Sequence, residues 1–160
     1  MSKTFIFPYG ITMREGGRID IFPAAEVWFP TKGDEWTSLF LVVDSGAAIS
    51  ALPRSDASVL GIDPEKGKRI LVGGVGKELF HGWQHSIRVQ MGGQTMVLPV
   101  VFLENDSAPR VLGRAGIFER FTVIFEERKR RTAFLGEGTK ERRYVEKTLN
   151  ALPQSKSLTG

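Results

Sequence analysis

The sequence predicts an all-β fold, and three observations carry that reading. Strand signals recur at roughly ten-residue spacing between residues 18 and 125. Glycine-rich turns, Gly73-Gly74-Val75-Gly76 and Gly92-Gly93, stand between apolar runs as hairpin turns do. Helix signals are confined to short stretches and to the C-terminal end.

In chain order, Arg18 to Phe29 reads as strand, with Pro23 suited to an edge or bulge rather than a sheet centre. Pro30 to Glu35 supplies turn residues. Ser38 to Val43 is an apolar run of the kind driven into a core, and it stops at Asp44-Ser45-Gly46. Pro53 closes a second apolar stretch, and Ser55 to Leu60 predicts a short helix ending at Gly61. Lys68 to Val72 and Leu79 to Val89 flank the first glycine-rich turn. Ser86 to Met91 and Thr95 to Leu103 flank the second. Val111-Leu112 predicts a strand end, Ala115 to Phe121 about two helical turns, and Phe121 to Phe125 a strand that pairs with Thr132 to Leu135 across a charged turn. Thr139 is placed to cap a charged helix reaching Leu152, with residues 153–160 as a flexible tail.

Composition bounds the chemistry. The 160 residues suit one domain, and the absence of cysteine excludes disulfides, thiolate metal sites and a cysteine nucleophile. The formal net charge is +4, but residues 126–147 hold eight basic and five acidic side chains, so the positive bias lies in the tail. Interspersed glutamates and the lack of a reader motif argue against nucleic-acid binding by that segment. Phe5-Ile6-Phe7 is interrupted by Pro8 and Gly10 and has no signal-peptide character, and no apolar run approaches the roughly 20 residues of a membrane helix. A cytoplasmic protein without membrane insertion is the resulting expectation.

One feature stands above this background. An apolar strand delivers an acid into a tight turn, Leu41-Val42-Val43-Asp44-Ser45-Gly46-Ala47, and Val111-Leu112-Gly113-Arg114 follows after some sixty residues. A carboxylate is rare at the end of a buried strand unless something compensates its charge.

Together with the glycine-rich turn at 73–76, these pieces resemble a subunit of the retroviral-type, retropepsin-like aspartic protease family, which also occurs in bacteria. The resemblance runs over residues 20–125, about two thirds of the chain. It implies a closed or partly open acid-protease barrel subunit over residues 1–138, with a flap hairpin and a short helix after the Gly-Arg motif. Residues 139–160 then form a charged C-terminal helix and tail.

The family's chemistry needs two facing carboxylates, and this chain holds one such turn. The resemblance therefore implies a homodimer in which Asp44 of each subunit activates a water against a peptide substrate, with no metal and no cofactor. It assigns Ser45, Gly46 and Ala47 to support of the active-site turn and Gly73, Gly74, Val75 and Gly76 to the flap. Gly113 and Arg114 become a structural motif beside the turn. Viral relatives pair this arginine with an aspartate two residues beyond the turn glycine, where this chain has Ala48, followed by Ile49. Arg114 therefore needs another partner, and an apolar cleft wall is expected.

Simpler readings stand beside these. Asp44 could be an ordinary strand-end aspartate, and Gly73 to Gly76 a surface turn. His81 and His85 share a strand face at a separation of about 13 Å, too far apart for one ion. Trp83, on the strand leaving the flap, is a candidate substrate contact. The function expected is an aspartic endopeptidase acting on extended, apolar-containing peptides. The alternatives are a catalytically silent, protease-like dimeric binding or assembly module and a nucleic-acid-binding β domain.

Overall fold

The structure is a computed structural model that describes residues 3–74 and 78–155. Its strands are β1 (Phe5–Pro8), β2 (Gly10–Met13), β3 (Ile19–Phe22), β4 (Ala24–Pro30), β5 (Trp36–Val43), β6 (Ser50–Pro53), β7 (Lys68–Gly73), β8 (Leu79–Met91), β9 (Gln94–Leu103), β10 (Val111–Leu112), β11 (Phe121–Glu126) and β12 (Arg131–Gly136). Two α-helices accompany them, α1 (Arg54–Val59) and α2 (Lys140–Ala151).

Alternation builds the main sheet. In β4 and β5, Val27, Phe29, Leu39, Leu41 and Val43 point inward, while Trp28 and Phe40 point out. Side chains of a strand face opposite sides at every step, so one sequence supplies both a core face and a solvent face. Seven strands pair in the order β4-β5-β10-β6-β9-β8-β7, and a contact between Trp28 of β4 and Gln90 of β8 draws the sheet round on itself. This is the partly closed barrel expected. The core it wraps includes Phe29, Leu41, Leu52, Leu98, Val100, Phe102 and Leu112, all removed from solvent. Each such burial stabilises by about 1.5–3 kcal/mol.

β8 is a single strand of 13 residues shared by both predicted hairpins. It pairs with β7 at one end and with β9 along most of its length. Beneath the barrel lies a three-stranded sheet, β1-β12-β11. Phe5 and Phe134 stack there at 5.3 Å, with Phe7 and Phe121 packed edge-on. Phe5-Ile6-Phe7 is thus a structural strand, which its interruption by Pro8 concealed.

Two expectations need correction. Arg18 to Phe29 is not one strand: β3 pairs with β2 in a separate two-stranded ribbon, and β4 begins after Pro23. Proline has no N–H to continue the ladder, but its carbonyl accepts from Val43 N–H at 2.9 Å, so the break is fastened to the end of β5. Residues 115–121 form successive turns rather than a continuous helix. Phe118 and Phe121 donate to the carbonyls of Arg114 and Ile117, but Gly116, between them, sits at φ +77°. That left-handed residue interrupts the right-handed run. The C-terminal helix forms as expected, with the Thr139 hydroxyl accepting from Arg142 N–H at its N-terminus.

Candidate active site

β5 and β10 run parallel, with Val42 opposite Val111 and Val43 opposite Leu112. Asp44, one step beyond β5, donates its N–H to the Leu112 carbonyl at 3.0 Å. The ladder thus reaches to the acid itself and fixes where the turn begins.

The carboxylate is then held by its own turn. Oδ1 accepts from Gly46 N–H at 2.8 Å and Ala47 N–H at 3.3 Å, an Asx-type arrangement that folds the chain back after two residues. A Cβ added at Gly46 would lie 3.1 Å from that same Oδ1, tight enough to force the carboxylate or the turn to shift. Asp44 stays exposed, and among the described residues no ion pair engages it.

The Gly-Arg segment locks the turn from the side. Arg114 N–H donates to the Ala47 carbonyl at 2.9 Å and Ala115 N–H to Ala48 at 3.0 Å. Gly113 N–H donates to the hydroxyl of Ser50, a residue with no solvent exposure, at 3.0 Å. A Cβ at Gly113 would fall 2.4 Å from the backbone carbon of Ile49, so only glycine permits this approach. Arg114 supplies the remaining contact. Its Nη1 donates to the carbonyl of Ser45 at 2.7 Å and to that of Gly46 at 3.3 Å. The partner missing at Ala48 is replaced by two backbone oxygens of the acid turn.

An apolar cleft of about 520 Å³ opens from Asp44. Ala47, Ala48, Ile49 and Ala51 form its floor, Ile70, Val72 and Phe80 come from the β7–β8 hairpin, and Leu103, Ala108 and Pro109 close the far wall. Part of this lining is a small core of its own, with Ala51, Val101 and Leu103 buried beneath Ile70, Val72 and Phe80. The expected apolar wall is therefore present. The alternation of Ile70 and Val72 announced their face, whereas Ala108 and Pro109 carry no pattern that would have marked them.

Gly73 is the last paired residue of β7, opposite Leu79, and Gly74 N–H donates to the Glu78 carbonyl at 2.9 Å. Both line the cleft. Val75 and Gly76, named with them from the sequence, lie outside the described residues. The histidines of β8 do not converge on anything: the His85 ring is 2.8 Å from the Pro64 carbonyl and edge-on to Phe102, and no cluster of metal-ligating side chains occurs among the described residues. Trp83 is buried under the Arg54 guanidinium, 5.0 Å from its ring centre, and does not reach the cleft.

The acid turn, its Gly-Arg brace and the cleft coincide with a family match: residues 37–115 fit the model described as aspartyl protease. That aspartyl protease match spans just under half of the chain and includes the acid turn and the Gly-Arg segment. A crystal structure of a retropepsin-like aspartic protease from Rickettsia conorii superposes on this chain with a TM-score of 0.54 at 18% identity. It covers 84% of this chain and 94% of the Rickettsia chain. EIAV protease in complex with an inhibitor also matches, with a TM-score of 0.47 and 19% identity over 68% of this chain and 93% of the viral one. No curated protein sequence matches. At 18% identity the likeness to the Rickettsia structure speaks for the retropepsin-like fold, and the aspartyl protease match supports a protease function.

Proposed function

We propose that this chain is an aspartic endopeptidase active as a homodimer, with Asp44 as the catalytic residue of each protomer. The observation that carries the reading is the exposed Asp44 carboxylate, oriented by Gly46 and Ala47 N–H at one end of an apolar cleft. Each chain supplies one such acid, so the site is complete only when two turns meet across a two-fold axis. β11 supports that assembly, because among the described residues it has β12 on one side and no strand on the other.

Two carboxylates about 3 Å apart cannot both ionise readily, so the pair holds one proton between them. The ionised member takes a proton from the attacking water while the protonated one donates to the scissile carbonyl, and the roles reverse as the amine leaves. Ser45 and Gly46, whose carbonyls Arg114 fixes, keep the two acids in register, and Gly46 leaves room for close approach. In this reading the β7–β8 hairpin is the flap, with Gly73, the last paired residue of β7, and Gly74 leading into its turn. It closes over an extended peptide and excludes bulk water. Ile49, Ile70, Val72 and Phe80 give the peptide's side chains apolar surroundings, which favours substrates with apolar residues at the scissile bond.

The test is cleavage of a diverse peptide library between about pH 4 and 7 by the wild type and by Asp44→Asn at matched concentration. Products made by the wild type alone are expected. The same products from Asp44→Asn would refute the assignment.

A further inference from the structure

The loop that joins β9 to β10, residues 104–110, has two sides. Asn105, Ser107, Ala108 and Pro109 line the cleft. Asp106 and Arg110 do not: they line a separate groove on the back of the loop, together with Ser55 and Asp56 of α1. Both bond across that groove to the helix. Asp106 Oδ1 accepts from Ser55 N–H at 2.8 Å, and the Arg110 guanidinium donates from Nε and Nη2 to the two carboxylate oxygens of Asp56 at 2.7 and 2.8 Å. The helix is itself anchored, because Ala57, and Leu60 just beyond its end, belong to the main core.

The two ends of the loop are fixed by backbone bonds. Glu104 N–H donates to the His81 carbonyl at 3.0 Å, and the Arg110 carbonyl accepts from Val42 N–H at 2.9 Å. Between those ends, Ser107 and Ala108 N–H donate to the side chain and carbonyl of Asn105, at 2.9 and 3.2 Å, which closes a turn but reaches nothing outside the loop. Among the described residues, the bond to Asp106 is the one hydrogen bond that ties residues 105–109 to another element. Ala108 also packs against the small core of Ala51, Val101 and Leu103. A single methyl group is a weak anchor for a wall.

We propose that Asp106 and Asp56 are positioning residues for substrate selectivity: they clasp the loop to α1 and so set how far Ala108 and Pro109 stand into the cleft, which limits the size of apolar side chain it accepts. The proposal rests on the endopeptidase reading above. Neither carboxylate lines the cleft, so both act through the loop. An apolar pocket discriminates by volume, and a wall that gives way loses discrimination between side chains differing by a few methylenes. The two acids differ in what can replace them. Asp106 accepts one bond, which an asparagine oxygen also accepts. Asp56 accepts two N–H donors side by side, and asparagine would turn its NH2 toward one of them.

The experiment measures kcat/KM of wild type, Asp106→Ala, Asp106→Asn and Asp56→Asn on two peptide sets that differ only in valine or phenylalanine at the scissile bond. Asp44→Asn is the blank, and amide exchange at Ala108 reports on the loop. Taking the ratio of the two sets within each variant cancels any loss of folded protein, and Asp106 is exposed, so its replacement leaves the core intact. The expected result is faster exchange and a ratio moved at least about fivefold toward phenylalanine in Asp106→Ala and Asp56→Asn, with Asp106→Asn like wild type. An unchanged ratio in Asp106→Ala, whatever its exchange, overturns the clasp and leaves the endopeptidase standing. An Asp106→Asn ratio that moves as far as that of Asp106→Ala also overturns it. A wild type that cleaves neither set, or an Asp44→Asn that cleaves both as wild type does, overturns the endopeptidase reading and the clasp with it.

Discussion

Arg114 donates from one guanidinium nitrogen to the carbonyls of Ser45 and Gly46, at 2.7 and 3.3 Å, while its own N–H bonds to Ala47. One residue therefore holds three successive members of the acid turn. Arg114→Ala leaves those carbonyls to water and frees the turn to rock about Asp44. The expected loss of stability is about 1.5–3 kcal/mol, toward the lower end because the contact is exposed. A larger fall in kcat than in thermal stability is expected, and Arg114→Lys should recover little, since an ammonium on a flexible stem lacks the planar fork. Melting temperature and steady-state kinetics on the two variants check this.

Gly113→Ala tests the close approach of β10 to Ile49. The new methyl would stand 2.4 Å from backbone, which cannot give way as a side chain can. A destabilisation of at least about 2–3 kcal/mol is expected, with the Ser50 hydrogen bond broken as the strands part. Urea unfolding measures it. Ser50→Ala, which removes the acceptor and leaves the buried Gly113 N–H unsatisfied, should cost about 1–3 kcal/mol.

These contacts also mark what was legible in the sequence. The acid turn, the Gly-Arg segment and both hairpins were readable because strand alternation and glycine turns are local signals. The brace between Arg114 and Ser45 was not. Backbone carbonyls carry no sequence signature, and the absence of an acid at 48 suggested only that the partner lay elsewhere. Pro23 announced an interruption but not that β3 and β4 belong to different sheets, which depends on the long-range pairing of β2. Residues 115–121 looked helical because the stretch is long enough for about two turns, and the left-handed Gly116 overrode it. The cleft walls at Ala108 and Pro109 belong to a loop that tertiary packing alone brings beside Ile70.

Acid stability follows from Glu126. Its carboxyl is held below the usual carboxylate value, chiefly by the hydrogen bond from Arg131 and then by Lys129. A group depressed in the folded state contributes stability above its unfolded pKa, and that contribution is lost as the pH falls through the folded value. Glu126→Gln should therefore reduce stability near neutrality and flatten the decline in acid. Thermal melts of both proteins from pH 7 down to about pH 3 report the difference.

Asp56 is 4% exposed and receives two hydrogen bonds from Arg110, at 2.7 and 2.8 Å, while the Arg110 carbonyl accepts from Val42 N–H two residues before Asp44. The pairing raises the already high pKa of the guanidinium. Asp56→Ala should cost about 2–3 kcal/mol and loosen the end of β5. Equilibrium unfolding gives the cost, and amide exchange at Val42 reports the loosening.

Cleft size is testable at Ala51, which lies on the floor beneath Ile70 and Leu103. Ala51→Leu fills part of the space and should lower kcat/KM for peptides with bulky apolar residues by about tenfold or more, with smaller effects on peptides bearing alanine there. A uniform loss across both peptide sets would indicate a general disturbance instead.

The most direct test of two Asp44 side chains sharing one site is activity in mixtures of wild type with Asp44→Asn, equilibrated together at fixed total concentration. Exchange of protomers predicts that activity falls with the square of the wild-type fraction, to about one quarter in an equal mixture. A fall in simple proportion, to about one half, in protomers shown to exchange would mean that each chain works alone and would contradict the account.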